Sequence, residues 1–110
     1  MATERRQNKV SAFIKQEIAI TIKELSDPRI GFITILSVDI TPDLKIAKIY
    51  YSVLGSDANK RTTQRALDQA KGYLRRQVGK ALQIKFVPEI QFFCKEDSDF
   101  GDNEVTEDTA

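Results

Sequence analysis

The sequence has no histidine and no tryptophan, and its 110 residues include one cysteine, three prolines and five glycines. Without histidine, the usual neutral-pH proton carrier and commonest metal ligand is missing. The lone Cys94 can neither close an intramolecular disulfide nor build a thiolate zinc site, so nothing points to an oxidising compartment. Its place at the end of an alternating segment suits a small core residue better than a nucleophile. Gly31, Gly55, Gly72, Gly79 and Gly101 form neither a phosphate-binding P-loop nor a dinucleotide fingerprint. The carboxylates Asp97, Asp99, Asp102 and Glu104 lack the spacing and closing glutamate of a calcium loop. The expectation is a protein that is not an enzyme, with no metal, no cofactor and no small-molecule substrate. There is no apolar run approaching the roughly 20 residues that span a bilayer, and no apolar segment behind the charged start MATERRQNKV. A soluble cytoplasmic protein without a membrane partner is therefore expected.

Charge is plentiful and unevenly placed. All 17 lysines and arginines lie within residues 1–95 with 9 of the 16 acids, whereas residues 96–110 hold the other 7 acids and no base. A basic body followed by an acidic tail suggests a polyanion-binding domain, 1–95, and a separate segment, 96–110, too polar to fold alone.

The densest basic stretch, Asp68 to Lys85, carries Lys71, Arg75, Arg76, Lys80 and Lys85 against one acid. Lys71 and Arg75, and likewise Arg76 and Lys80, are four apart and form two ladders on neighbouring helix faces. Leu74, Val78 and Leu82 repeat on another face, suited to packing inward. One side of this helix can be buried while another presents fixed positive charge to phosphates. Gly72 interrupts the helical pattern, and a second helix starting there would leave backbone N–H groups unpaired beside Lys71, Arg75 and Arg76, favouring a phosphate.

The remaining elements follow from periodicity. Val10, Ile14, Ile18 and Ile22 recur every four residues and predict a helix from about Thr3 to Leu25. Asp27-Pro28-Arg29-Ile30-Gly31 breaks it, with Gly31 able to supply positive φ, and Arg29 either reaches a ligand or pairs with Asp27 or Glu24. Phe32 to Thr41 predicts a strand with Phe32, Thr34, Leu36, Val38 and Ile40 on one face. A turn at Thr41-Pro42-Asp43-Leu44 leads to a second strand, Lys45 to Leu54, with Ala47, Ile49, Tyr51 and Val53 together. Helices over Lys60 to Ala70 and Tyr73 to Leu82 precede a third strand, Ile84 to Cys94, with Pro88 near its start or at an edge. The crossover from second to third strand predicts parallel pairing. Tyr73 and the strand aromatics are expected to pack rather than to stack on bases.

The order helix, strand, strand, helix, helix, strand resembles a type II KH-like domain, although the Gly-x-x-Gly loop of single-strand-binding KH domains is absent. Ala70-Lys71-Gly72 resembles instead the interhelical Ala-x-Gly kink of the bacterial ribosome-binding factor A family. Lys15-Gln16-Glu17-Ile18-Ala19, Asp27-Pro28-Arg29-Ile30-Gly31, Asp43-Leu44-Lys45-Ile46-Ala47-Lys48-Ile49-Tyr50, Leu74-Arg75 with Val78-Gly79-Lys80, and Val87-Pro88-Glu89-Ile90-Gln91-Phe92 agree with that family in order and spacing. The resemblance covers about residues 5–95. It implies an α+β domain with a three-stranded mixed sheet and helices on one face. It also implies a monomeric, non-enzymatic assembly factor that binds the free 30S subunit and its 16S ribosomal RNA. Late maturation, 5′-end processing and growth in the cold are the implied roles. Arg29, Lys45, Ala70, Lys71, Gly72, Arg75, Arg76 and Lys80 are the expected RNA-facing positions. The competing expectations are a generic single-strand RNA-binding KH domain and a protein-interaction adaptor.

Overall fold

The computed structural model describes residues 4–95, and the acidic segment 96–110 lies outside the described residues. Five elements follow in order: α1 (Glu4–Leu25), β1 (Ile33–Ile40), β2 (Ile46–Val53), α2 (Asp57–Leu82) and β3 (Glu89–Cys94). The sheet order is β1-β2-β3, antiparallel between β1 and β2 and parallel between β2 and β3. This is the expected α+β mixed-sheet arrangement.

Helix α1 buries Ile14, Ile18, Thr21 and Ile22, the stripe that four-residue spacing requires. It stops at Ser26, which takes the left-handed conformation (φ 51°). Gly31 was available for a positive φ had the turn required one; the turn takes it at this serine instead. Gly31 matters for space: a Cβ there would lie 3.3 Å from Val53 Cγ2. The turn between them closes with the Ile30 N–H donating to the Asp27 carbonyl at 3.0 Å.

The two faces of β2 separate as predicted, with Ala47, Ile49, Tyr51 and Val53 buried among α1 and α2 residues. Strand β1 does not keep one period. Its register shifts between Ile35 and Ser37, a bulge at Leu36. Ile33 and Ile35 stand opposite buried Val53 and Tyr51, and Val38 and Ile40 stand opposite buried Ile49 and Ala47. Opposed residues of an antiparallel pair share a face, so both pairs point to the core. The expected grouping of Phe32 and Thr34 with Val38 and Ile40 is corrected accordingly, and Phe32 is left 83% exposed.

The larger correction concerns α2. It is one helix of 26 residues running through Gly72, in place of two helices meeting there. Ser56 caps its start, accepting from the Asn59 N–H at 3.2 Å while its own N–H donates to Asn59 Oδ1 at 3.0 Å. Its end is Gln83, in the left-handed region, whose N–H donates to the Gly79 carbonyl at 2.9 Å. A glycine inside a helix costs about 1 kcal/mol. Burial of Leu67, Leu74 and Val78 on the inner face contributes about 1.5–3 kcal/mol each and outweighs it. The third strand is correspondingly short, because residues 84–88 form a loop that ends at buried Pro88.

The helices cover one face of the sheet. Ile14, Ile18 and Ile22 of α1 and Leu67, Leu74 and Val78 of α2 pack on Ala47, Ile49, Tyr51, Ile90 and Phe92. Among the described residues, no helix covers the other side of the sheet.

Candidate nucleic-acid interface

The continuity of α2 decides where its charges point. Each residue advances about 100° around a helix. Thr63, Ala66, Leu67, Leu74 and Val78 mark the buried face. On the opposite side lie Arg61, Arg65, Gly72 and Arg76, with Lys80 turned about 70° toward one edge, all exposed. They form a cationic stripe about 29 Å long, whose middle between Arg65 and Arg76 holds Asp68, Gln69 and Gly72, the last leaving the backbone accessible. Arg61 and Arg65 escaped the sequence-based site because the helix was divided at Gly72; the i,i+4 spacing of 61 and 65 was the available signal.

The residues expected at the site divide into three groups. Arg76 and Lys80 are on the stripe, and among the described residues no hydrogen bond or ion pair is found for either. Lys71 and Arg75 project from its flank, about 140° from Lys80 in the case of Arg75. Lys71 pairs with Asp68 at 3.5 Å. Arg75 donates from Nε and Nη2 to the Val87 carbonyl at 3.2 and 2.9 Å, clasping the loop before β3. Ala70 is half-buried against the core and exposes little. Because α2 does not begin again at Gly72, the free N–H groups expected there are absent, and so is the helix-terminus phosphate site.

Arg29 lies in the α1–β1 turn and takes the ion-pairing alternative. Its Nη2 is 2.8 Å from Asp27 Oδ2, its Nε donates to Asp27 Oδ1 at 3.2 Å, and its Nη1 donates to Gln69 Oε1 at 2.6 Å. Hydrogen bonds from the Arg29 side chain and N–H hold the Asp27 carboxyl below its ordinary range, and the same pairing raises the guanidinium. Arg29 thus ties the turn to α2 one residue before Ala70.

Lys45 stands at a second basic region. In the β1–β2 turn the Thr41 hydroxyl and the Lys45 N–H both donate to Asp43 Oδ1, at 2.7 and 3.0 Å, and lower the Asp43 carboxyl. Leu44 closes that turn at φ 61°. Lys45 lines a groove with Arg6, Arg75, Lys85, Ile84 and Phe86 between the start of α1 and the α2–β3 loop. Phe86 is 83% exposed there, with the Lys85 ammonium 5.6 Å from its ring centroid. Arg6, Lys85 and Phe86 were not among the expected site residues, since only the tertiary fold joins them to Lys45. Tyr73, expected to pack, is instead exposed beside the stripe.

No described residue is a histidine, and no group of three or more His, Cys, Asp or Glu residues that could hold a metal ion is found among the described residues. No helix among them is long and apolar enough to cross a membrane.

Comparison with known proteins places this geometry in context. Residues 6–105 match the family model described as ribosome-binding factor A. Ribosome-binding factor A of Citrifermentans bemidjiense is 45% identical over 98 residues, covering 88% of this chain and 82% of that protein. The solution NMR structure of a Thermotoga maritima protein, a candidate ribosome binding factor A, superimposes with a TM-score of 0.76 at 28% identity, covering 88% of this chain and 93% of that one. A Thermus thermophilus ribosome binding factor A homology model, fitted into the cryo-EM map of a 30S complex, gives a TM-score of 0.64 at 23% identity, covering 76% and 88%.

Proposed function

The chain belongs to the ribosome-binding factor A family, and on that premise we propose that it binds the free 30S subunit through 16S ribosomal RNA and assists late subunit maturation without catalysing a reaction. Maturation here includes 5′-end processing of the RNA precursor and growth in the cold, with the protein acting as a cytoplasmic monomer. The observation that carries the reading is the stripe Arg61–Arg65–Arg76–Lys80 along α2, on the side away from its buried face. A packed helix sets the spacing of these cations before binding, and contacts to a phosphate backbone read its shape rather than its bases. Arg75 holds the α2–β3 loop, and Arg29 the α1–β1 turn, against α2. The Thermus thermophilus relative fitted to a 30S complex supports the choice of partner.

Sedimentation through a sucrose gradient tests the reading. The protein is expected to travel with free small subunits and to be absent from joined ribosomes. Replacing Arg61, Arg65, Arg76 and Lys80 together by Gln should release it to the top of the gradient with its fold intact. Migration of the wild-type chain with a smaller protein partner, away from subunits, would support an adaptor instead.

A further inference from the structure

We propose that the helix-free face of the sheet is a second RNA contact, where the stacked Tyr50–Phe93 pair receives unpaired bases and Lys48 and Lys95 hold the flanking phosphates. The inference rests on the ribosomal-RNA reading above and adds a separate surface with a different mode of recognition. Tyr50 and Phe93 are opposed across β2 and β3, with ring centroids 5.5 Å apart and planes inclined by 28°. They alternate with the buried Ile49, Tyr51 and Phe92, so both rings stand on the side that no described helix covers. Phe93 is 41% exposed. The Lys95 ammonium sits 5.0 Å from the Tyr50 centroid, and Lys48, two residues before Tyr50, shares the same face. The pair is therefore bracketed by cations along the strand direction, about 13 Å between their levels.

The surroundings select the occupant. Neighbours on this face are Ser37, Asp39, Ser52, Gln91 and half-buried Leu36 of the bulge, so the two rings and one leucine form a small apolar patch within a largely polar surface. An apolar protein interface needs a wider patch, whereas a nucleobase needs one ring face and a nearby cation. The acids of this face, Asp39 and Glu89, stand on the two outer strands, on the Lys48 side of the aromatic level and away from Lys95. Cross-strand aromatic pairs also stabilise sheets, so the test must read nucleic acid rather than stability.

The full chain is titrated with hexauridylate and hexaadenylate and followed by NMR of its aromatic side chains. Shifts centred on the Tyr50 and Phe93 rings are expected, with Lys95 displaced from the Tyr50 face. Phe93→Leu keeps apolar bulk without a ring face and should weaken hexanucleotide binding about tenfold or more. Shifts confined to α2, or unchanged affinity in Phe93→Leu, would overturn the proposal. In a second arm, p-benzoylphenylalanine at position 93 is irradiated in complex with 30S subunits. Cross-linking to ribosomal RNA is expected, and cross-linking to a ribosomal protein would overturn the proposal. If the wild-type chain does not bind subunits at all, the assembly-factor reading fails, while the hexanucleotide titration still decides the aromatic site.

Discussion

Replacing Gly72 by alanine separates a continuous α2 from a divided one. Gly72 carries no positive φ, and an added Cβ would meet nothing nearer than Arg76 Nη1 at 3.7 Å, the mobile end of a long side chain. Alanine in a helix interior is favoured over glycine by about 0.5–1 kcal/mol. Since nothing there opposes the substitution, the gain should be recovered nearly in full, raising Tm by about 2–8 °C. Gly79 supplies the control within the same helix. There the new Cβ would fall 2.7 Å from Cγ2 of Val87, a branched side chain in the loop that Arg75 clasps. Overpacking of this kind costs about 1–3 kcal/mol, so the propensity gain is cancelled or reversed. Thermal and urea unfolding, followed by far-UV circular dichroism, should rank Gly72→Ala above wild type and Gly79→Ala at or below it. A Gly72→Ala variant less stable than wild type by about 1 kcal/mol or more would mean that the helix does not run through residue 72, and the cationic stripe would go with it.

Arg75→Lys keeps the charge but loses the two-pronged donation to the Val87 carbonyl. It should lower stability by about 0.5–1.5 kcal/mol while leaving the salt dependence of RNA binding unchanged; urea midpoints and binding isotherms check both parts. The depressed Asp27 carboxyl stabilises the fold above its unfolded pKa, and that contribution disappears as pH falls through the lower folded value. Asp27→Asn should therefore lower stability at neutral pH and narrow its gap to wild type below about pH 4, measured as urea midpoint against pH. With no histidine to titrate, RNA affinity should stay constant between about pH 5.5 and 7.5 at fixed salt, as filter binding would show.

The elements most legible from the residues were those with one uninterrupted period. Isoleucines every four residues specified α1, and the alternation of Ala47, Ile49, Tyr51 and Val53 specified β2 with its faces. Strand β1 was located, but its faces were not. A bulge at Leu36 moves Val38 and Ile40 to the side of Ile33 and Ile35, and local pattern carries no sign of it. At Gly72 a local preference of about 1 kcal/mol was outweighed by tertiary burial of neighbouring leucines and valine, which propensity does not include. The real stop is Gln83, a residue with no special tendency toward the left-handed conformation it adopts. The same error cut the cationic stripe in half: Arg76 and Lys80 were recognised, whereas Arg61 and Arg65 were not. The Arg29–Asp27 pair was one of two alternatives legible in sequence, whereas Arg75 looked equivalent to the exposed cations. Only the fold brings the Val87 carbonyl and Gln69 within their reach.

The stripe on α2 as a phosphate contact is tested most directly by the salt dependence of 16S ribosomal RNA binding. The full chain and its Arg61→Gln, Arg65→Gln, Arg76→Gln, Lys80→Gln quadruple variant should be compared as log affinity against log salt concentration. Each lost phosphate contact removes about 0.7–0.9 from the magnitude of the slope, so the variant should lose about 3 to 4 units and retain wild-type unfolding. Equal slopes for the two proteins would contradict the account, because the RNA would then be held elsewhere.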